Sequence, residues 1–308
     1  MKWLLHPALY TPGPALFFMI DLHIHTNASS DGQYSPREIF EMARQKGLKA
    51  IAFADHNSLG NVEEGILLAE EFGIEFIPCM ELNTLYQGMD LHLLAYFLDP
   101  ADPVLQEWLE EVHRKKVQQA GKRLEKLNEL GFFFTAKDLR KFSEDRIPTG
   151  RSYLQAILSR KENLKDPRLR PYIGGNRSRS PYVNFYRDYL RGGKPAFVPM
   201  EDVSTVSAIR KVHQLGAIPI LAHPSDTGSD NLLALVGNGL EGLEAYSPYH
   251  DPSEQEAFRA FAEHHGLLVT AGSDFHGEKI KPDIELGQVS DHPPDVLGKL
   301  KERRKDRR

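Results

Sequence analysis

Residues 21–32 read Asp-Leu-His-Ile-His-Thr-Asn-Ala-Ser-Ser-Asp-Gly, directly after an apolar run from Leu16 to Ile20. The run predicts a strand, and on an extended strand His23 and His25 point to the same face. A short polar loop then supplies the carboxylate of Asp31. Two imidazoles and a carboxylate so placed are donors that a borderline divalent metal accepts. The stretch therefore predicts a metal site at the end of a first strand.

Similar side chains recur further along the chain, next to apolar, strand-like runs, and they are Asp55, His56, Glu81, His92, His223, Asp274 and His276. In parallel α/β folds, ligand-binding groups gather where strands finish and loops begin. One tetrahedral zinc needs fewer ligands than this set offers. We therefore expect two or three divalent ions that share bridging carboxylates. No Gly-rich phosphate loop or Ser-His-Asp set competes with this interpretation.

Size and composition fit an ordinary globular protein. The chain has 308 residues, 41% hydrophobic and 26% charged, with a formal net charge of −5. There is no overall basic bias towards nucleic acid. Basic residues are concentrated between Arg160 and Lys194 and from Lys299 to Arg308, which we interpret as a solvated face and a disordered tail. Beside a metal site, a basic segment would also suit a phosphate-bearing ligand.

Helices and strands alternate with short connections, which indicates a parallel α/β sheet or barrel. Ser35-Pro36-Arg37-Glu38 is a capping box that opens the first helix. The chain has about seven predicted strands, so one closed barrel with an insertion is a more economical interpretation than two α/β domains. Residues 1–18 are predicted to form an N-terminal extension, and residues 19–99 with 200–290 the barrel. Residues 100–199 are predicted to form a helical insertion, and residues 291–308 a basic tail.

Two further features bear on location. Cys79 is the only cysteine, so no internal disulfide forms, which fits a reducing cytoplasm. The first 19 residues are apolar but contain three prolines and no convincing cleavage site, so they predict neither a signal peptide nor a membrane span. No obligate protein partner is evident, and the sequence leaves the oligomeric state open.

The residues collected above closely resemble the motifs of the PHP (polymerase and histidinol phosphatase) superfamily. The similarity extends over nearly the whole chain after Met19, and Gly150-Arg151 with residues 189–199 resembles the bacterial branch that carries a helical insertion. That branch contains phosphoesterases acting on nucleoside phosphates, 3′,5′-bisphosphates and the 5′ ends of short RNA. The resemblance implies a distorted (β/α)7 barrel with a trinuclear metal site.

Carried over residue by residue, the resemblance implies three metal positions. A first metal would be held by His23, His25, Glu81 and Asp274, a second by the bridging Glu81 with His92 and His223, and a third by Asp31, His56 and His276. Asp55 would orient a neighbouring ligand. Manganese is the metal that we expect, with iron or zinc as alternatives, because magnesium prefers oxygen ligands.

On the substrate side, Arg151 is the candidate phosphate clamp, because a guanidinium binds phosphate bidentately. A salt bridge within the insertion is the alternative role. Relatives usually have a His two residues after this Arg, where this chain has Tyr153. His250, just after a predicted strand, is a candidate substrate contact. Together, Asp55, Arg151 and His276 are the candidate catalytic residues.

These observations support the hypothesis of a phosphoesterase in which a metal-activated water removes phosphate from a nucleoside monophosphate or 3′,5′-bisphosphate. The alternatives are a 5′-3′ exoribonuclease acting on short RNA, a histidinol phosphatase, and a non-catalytic module that binds metal or nucleic acid. The expected partner is therefore a small phosphorylated nucleotide or the 5′ end of a short RNA. The preferred base, sugar and chain length stay open.

Overall fold

Seven strands form one sheet in the order in which they occur along the chain. The structure is a computed structural model, and it describes residues 19–200, 203–289 and 292–307. The predicted N-terminal extension, residues 1–18, lies outside the described residues. The strands are β1 Ile20–Ile24, β2 Ala50–Phe53, β3 Glu75–Tyr86, β4 Met89–Tyr96, β5 Ile218–Leu221, β6 Gly242–Tyr246 and β7 Leu268–Ala271.

Ten α-helices are described, together with short 3-10 and π-helical turns. They are α1 Pro36–Lys46, α2 Val62–Phe72, α3 Pro103–Glu129, α4 Ala136–Ser143, α5 Gly150–Leu158, α6 Pro181–Phe185, α7 Thr205–Gln214, α8 Ser229–Gly237, α9 Pro252–His264 and α10 Val296–Lys305. The predicted capping box is present, because the Ser35 side chain accepts from the Glu38 N–H and the Glu38 side chain accepts from the Ser35 N–H.

The sheet closes between its first and last strands. Ile24 and Phe275 form a parallel bridge, the His25 N–H donates to the Phe275 carbonyl at 2.9 Å, and the Asp274 N–H donates to the His23 carbonyl at 2.8 Å. These bonds join the end of β1 to the loop that follows β7. The expected α/β barrel is therefore confirmed, and its closing seam lies between residues predicted as metal ligands.

One strand runs against the rest. β4 pairs antiparallel with β3 on one side and with β5 on the other, whereas the remaining neighbours pair in parallel. The parallel pairing that the alternation of strands and helices predicts therefore does not extend to this strand. Only Gln87 and Gly88 connect β3 to β4, and a parallel crossover needs a dozen or more residues. The reversal places the beginning of β4 at the edge where β3 carries its polar residues.

The helix α3 belongs to two hydrophobic cores. Its first turns pack Leu105, Trp108 and Leu109 against the barrel, while Leu124 and Leu127 pack in a separate core formed by residues 127–196. A helix of 27 residues is about 40 Å long, which is enough to reach from one core to the other. The insertion thus has its own core and a rigid connection to the barrel.

The basic C-terminal segment is ordered in the described structure, contrary to the expectation of a disordered tail. It forms α10, whose Val296 and Leu300 are buried in the barrel core. Arg303 pairs with Glu241 at 2.9 Å, just before β6 begins. The apolar side of the helix explains why it packs on the protein. Among the described residues, no helix is both long and apolar enough to cross a membrane.

Candidate metal centre

Glu81 lies at the centre of the cluster of predicted ligands. It is fully buried on β3, and its two carboxylate oxygens face opposite groups of imidazoles. Oε1 lies 2.8 Å from His92 Nδ1 and 3.3 Å from His223 Nε2. Oε2 lies 2.8 Å from His56 Nδ1 and 3.3 Å from His25 Nε2, yet it makes no hydrogen bond of acceptable geometry. A carboxylate in this arrangement is suited to bridge two metal ions.

A second group forms around the closing seam of the barrel. The Nε2 atoms of His23 and His25 lie 3.2 Å apart, so both rings aim at the same point, as their common strand face predicts. Asp274 Oδ1 lies 3.5 Å from His23 Nε2 and 3.2 Å from His25 Nε2. With Glu81 Oε1 at 3.5 Å from His23 Nε2, four donors surround one position.

A third group lies on the other side of His25. The His276 ring stacks on the His25 ring with centroids 3.9 Å apart, and His56 Nε2 lies 3.9 Å from Asp31 Oδ2. Asp31 Oδ1 is buried without a hydrogen-bond partner. Three sets of donor atoms lie within 4.8 Å of one another: His25 with His56 and His276, His23 with His25 and Glu81, and His56 with Glu81 and His92. The structure thus brings all the predicted ligands to one end of the barrel.

Asp55 lies beside this cluster and holds the loop that follows β1. Its Oδ1 accepts from the Thr26 N–H at 2.8 Å and from the Ser29 hydroxyl at 2.9 Å, and its Oδ2 accepts from the Thr26 hydroxyl at 2.6 Å. The Ser29 hydroxyl in turn lies 3.4 Å from His25 Nδ1 and accepts from the His56 N–H at 2.8 Å. The structure therefore connects Asp55 to two candidate ligands through Ser29.

Glu244 is a functional candidate that the sequence analysis missed. It is fully buried on β6, its Oε1 lies 2.9 Å from His23 Nδ1, and its Oε2 accepts from the His223 N–H at 3.1 Å. Such a carboxylate fixes the orientation of a ligating imidazole. A glutamate inside the apolar run 240–245 was the available signal, because a buried charge needs a partner.

Asp21 was also missed, although it opens the quoted stretch. It accepts from the Ser273 N–H at 2.9 Å, the Ser273 hydroxyl at 2.6 Å and the Gly287 N–H at 2.7 Å. Burial raises the pKa of Asp21 to about 6, although these hydrogen bonds act in the opposite direction. Asp21 thus ties β1 to the loop that carries Asp274.

Tyr249 and Lys281 contact Asp274 directly. The Tyr249 hydroxyl donates to Asp274 Oδ2 at 2.8 Å and lies 2.9 Å from Lys281 Nζ, which donates to the same carboxylate oxygen. Burial alone would lower the pKa of Lys281, but the neighbouring Asp274 carboxylate raises it overall. The sequence analysis gave neither residue a role, since both stand in loops without a motif.

The two central carboxylates are held in the charged form. Burial alone would raise the pKa of Glu81, but the surrounding imidazoles, of which His92 has the largest effect, lower it well below its usual range. Burial likewise opposes ionisation of Asp274, and Lys281 and His23 lower its pKa well below the ordinary value. Both side chains are therefore acceptors at neutral pH, as metal ligation requires.

The imidazoles divide into two classes. Burial opposes protonation of His23 and His25. Glu244, Glu81 and Asp274 nevertheless raise the pKa of His23 well above its usual value, and Asp274 and Glu81 raise that of His25 to about 9. Burial and the charges of His25 and Lys281 lower the pKa of His276 well below its usual range. Burial also lowers the pKa of His92. His23 and His25 would therefore release protons when they bind a metal.

A cavity of about 1070 Å³ extends from these ligands into the insertion. Arg151 lines it at the beginning of α5, and its Nη1 donates to the Ser30 carbonyl at 3.1 Å. Tyr153 also lines the cavity and is fully buried. His250 is not among the lining residues: its Nδ1 lies 2.9 Å from the Ala245 carbonyl and its ring packs against Phe258. The structure therefore places Arg151, but not His250, beside the cavity.

The donor set fits divalent metal ions. The buried Glu81 Oε2 and Asp31 Oδ1 lack hydrogen-bond partners, which is costly unless a cation or a water completes them. Imidazoles predominate among the donors, and they suit manganese, iron or zinc better than magnesium. On these grounds the residues present fit a site for more than one ion.

The chain is similar to known proteins over most of its length. The sequence model of the PHP domain family matches residues 21–279. The chain is 26% identical to a 3′,5′-nucleoside bisphosphate phosphatase of Chromobacterium violaceum, over 89% of this chain and 93% of that protein. It is 27% identical to a 5′-3′ exoribonuclease of Haemophilus influenzae, over 83% of this chain and 89% of the relative.

A solved structure from Bifidobacterium adolescentis, of a protein described as a metal-dependent phosphoesterase, superposes with a TM-score of 0.71 at 25% identity. The superposition covers 94% of this chain and 97% of that one. Because the coverage includes both barrel and insertion, the two proteins share the whole architecture and not the barrel alone.

Proposed function

This chain belongs to the PHP domain family, and from that membership we propose that it is a metal-dependent phosphoesterase that acts on nucleotides. The observation that carries the proposal is the convergence of Glu81, Asp274 and six imidazoles at the cavity end of the barrel. Nucleotide substrates are supported by the relatives, which are a nucleoside bisphosphate phosphatase and an exoribonuclease.

The metal ions would be held by the three groups of donors described above. His23, His25, Glu81 and Asp274 would hold one ion, and Glu81 would bridge it to a second held with His92 and His223. A third would lie between Asp31, His56 and His276. We expect manganese, with iron or zinc as alternatives. Bound ions would polarise the phosphoryl oxygens and lower the pKa of the attacking water.

The protein's own side chains would bind and orient the substrate. Arg151 lies in the cavity wall, and among the described residues its side chain makes a single hydrogen bond, to the Ser30 carbonyl, so its remaining N–H groups are available to a phosphate. Glu244 and Asp55 fix the rings of His23 and His25, directly or through Ser29. Lys281 places a positive charge beside Asp274, where a phosphate would bind.

A short RNA is the second candidate substrate. The cavity of about 1070 Å³ exceeds the usual size range of sites for small ligands, so it offers room for more than one nucleotide. Hydrolysis of a diester at the 5′ end of RNA would use the same water and the same ligands. Nothing in the cavity specifically favours histidinol phosphate.

The test is phosphate or nucleotide release from four compounds: AMP, adenosine 3′,5′-bisphosphate, a 5′-phosphorylated RNA trimer and histidinol phosphate. Each is assayed with added manganese and after chelation. We expect turnover of a nucleotide only with metal, and its loss in a variant with both Asp274→Ala and His276→Ala. Turnover that persists in this variant, or after chelation, would contradict the proposal. Preferential hydrolysis of histidinol phosphate would show that the protein is a histidinol phosphatase and that nucleotides are not its substrate class.

A further inference from the structure

Part of the insertion contacts the loop that follows β1 and carries Asp31. Arg146 Nη1 donates to the Ser29 carbonyl at 3.1 Å and also to the Asn27 carbonyl. These carbonyls belong to a loop without helix or strand, where each backbone group needs a partner or water. Arg146 and Ser29 are 117 residues apart in the sequence. The fold therefore joins the insertion to the barrel at the candidate metal centre.

Ser30, which precedes Asp31, is held by the same part of the insertion. Its hydroxyl donates to the Ile147 carbonyl at 2.7 Å and lies 3.1 Å from Thr149 Oγ1. Its carbonyl accepts from Arg151 Nη1 at 3.1 Å. Ser30 is also buried. Both the side chain and the backbone of the residue next to Asp31 are thus bonded to the insertion.

Gly150 places the beginning of α5 in this contact. A Cβ at this position would lie 2.6 Å from the Tyr182 carbonyl oxygen, so only glycine lets α5 pack this closely on α6. Arg151 and Ser152 follow in the first turn, and Ser152 Oγ lies 3.4 Å from Ser30 Oγ. The Gly150-Arg151 pair quoted from the sequence therefore has a role in holding the loop, besides any contact with phosphate.

Asp31 depends on this backbone for its position. Among the described residues, its Oδ1 is buried without a hydrogen-bond partner, and its Oδ2 lies 3.9 Å from His56 Nε2. Asp274, by contrast, accepts hydrogen bonds from Tyr249 and Lys281. A carboxylate that no neighbouring side chain holds is oriented by the backbone that carries it. For Asp31, that backbone is the part of the loop that the insertion contacts.

We propose that residues 146–152 of the insertion position Asp31 and thereby set the metal affinity of the position that Asp31 shares with His56 and His276. This inference rests on the proposed function, because it assumes that these donor groups hold metal ions. Asp55 holds the beginning of the same loop from the barrel. The insertion thus completes the metal centre and does not only enclose the substrate.

The test measures bound manganese at set concentrations of free manganese. Chelated protein is dialysed against each concentration, and atomic absorption gives the manganese retained per chain. The variants are Arg146→Gln and Ser30→Ala, and Arg160→Gln is the matched control, because its hydrogen bond to Asp138 lies within the insertion. We expect one ion per chain to need about 10- to 100-fold more manganese in both variants. The remaining ions, and all ions in the control, should bind as in the wild type.

The variant Asp31→Ala shows whether Arg146 acts through Asp31. It should weaken the same ion, and adding Arg146→Gln to it should weaken no ion further, because both changes then remove one interaction. Arg146→Lys keeps a cationic donor and should recover most of the affinity that Arg146→Gln loses. A further loss in the double variant would overturn the proposal. Equal weakening of every ion by Arg146→Gln would overturn it too, since that result indicates a general effect on the fold.

Hydrolysis assays on the same proteins, with the four compounds named above, separate this inference from the proposed function. If one ion is lost selectively but the wild type hydrolyses no ester, the proposed function fails and the positioning of Asp31 stands. If the wild type hydrolyses an ester with manganese, but Arg146→Gln and Ser30→Ala retain as much manganese as the wild type at every concentration, the positioning fails and the proposed function stands.

Discussion

The candidate ligands depend on side chains that do not face the cavity. Glu244 contacts the ring of His23 and the backbone of His223, and Asp55 reaches His25 through Ser29. A ligating imidazole whose second nitrogen is hydrogen-bonded keeps one tautomer and one orientation. At the residue scale, the site is therefore a network in which the outer carboxylates set the geometry of the inner imidazoles.

The first prediction concerns Glu244→Gln. The amide keeps the size of the side chain but removes the charge that aligns His23, so metal affinity should fall by about 10- to 100-fold. Titration of metal into chelated protein measures the affinity, and circular dichroism checks the fold. Glu256→Gln, at an exposed position paired with Arg259, is the control and should bind metal like the wild type. Equal affinity in both variants would contradict the role of Glu244.

The second prediction concerns pH and Lys116. Burial and the neighbouring Arg123 lower its pKa to about 7 in the folded protein, from near 10.5 when unfolded, so the unfolded chain binds an extra proton between these values. The free energy of unfolding should therefore gain a contribution that rises with pH from 7 to 10.5, by up to about 1.4 kcal/mol per unit. In the Lys116→Met variant the free energy of unfolding should lack this dependence on pH. The substitution should therefore stabilise the protein most, relative to the wild type, below pH 7.

Urea titrations of chelated wild type and variant in phosphate-free buffer, at several pH values, give the difference in the free energy of unfolding. Subtracting the two proteins removes the contributions of the other titrating groups. A difference that stays constant from pH 6 to pH 10 would show that Lys116 keeps an ordinary pKa in the folded protein.

At the scale of elements, the two ends of the barrel have separate tasks. The candidate ligands lie at one end, and α10 packs at the other, where Arg303 pairs with Glu241 before β6 begins. Leu300 is fully buried in the barrel core, so α10 contributes apolar burial without contacting the cavity. The packing of α10 and the candidate ligands thus lie at opposite ends of the barrel. A separation of stabilising and functional residues of this kind is general for barrels of alternating strands and helices.

The third prediction follows from this division. Leu300→Ala removes a fully buried side chain and should lower the free energy of unfolding by about 2–5 kcal/mol. At a temperature where the variant remains folded, kcat/KM for a nucleotide substrate should stay within about 2-fold of the wild type, since no cavity contact changes. Denaturant unfolding and steady-state kinetics measure the two quantities. A large loss of kcat/KM in folded protein would show that α10 is coupled to the site.

Much of the element pattern could be predicted from the sequence. The alternation of apolar runs and capped helices gave the strands and the barrel, and histidines at strand ends gave the cluster of candidate ligands. The direction of β4 was missed because an apolar run has the same composition in either direction. The connection through Gln87 and Gly88 was too short for a parallel crossover, and this signal was available in the sequence.

Other residues could not be found from the local pattern. Lys116 and Arg123 stand in a charged amphipathic helix, where most cations are solvated, and only the packing of the insertion buries them. Glu244 and Asp21 acquire their roles from partners far away in the sequence, such as His23 and Ser273. Long-range contacts of this kind are a property of the folded chain and not of any short stretch.

At the scale of the whole molecule, the candidate ligands connect nearly the entire barrel. They lie on β1, β3 and β4 or in the loops that follow β1, β2, β5 and β7, and β6 contributes Glu244. Ions bound at the cluster would therefore join strands that are distant in the sequence. Bound cations would also offset the electrostatic and desolvation free energy that it costs to bury these carboxylates and imidazoles together.

The fourth prediction is that metal stabilises the fold as well as supporting catalysis. Saturating manganese at about 1,000 times Kd should add about 4 kcal/mol to the free energy of unfolding relative to chelated protein. Differential scanning calorimetry measures the shift in Tm, and Asp274→Ala is the comparison that should reduce it. Hydrogen exchange should slow at the ligand end of the strands. A Tm that is the same with manganese and with chelator would contradict the prediction.

Because α3 belongs to the cores of both the barrel and the insertion, it has a consequence for evolution and protein engineering. Its first turns are part of the barrel core, and its later turns carry Lys116 and Arg123 into the insertion. Substitutions on one face of α3 would therefore change the lining of the cavity, while the end of the barrel with the candidate ligands stays unchanged. A chimaera that exchanges the insertion should take the donor chain from Asp102 onward, because a junction inside α3 would divide a helix that belongs to both cores.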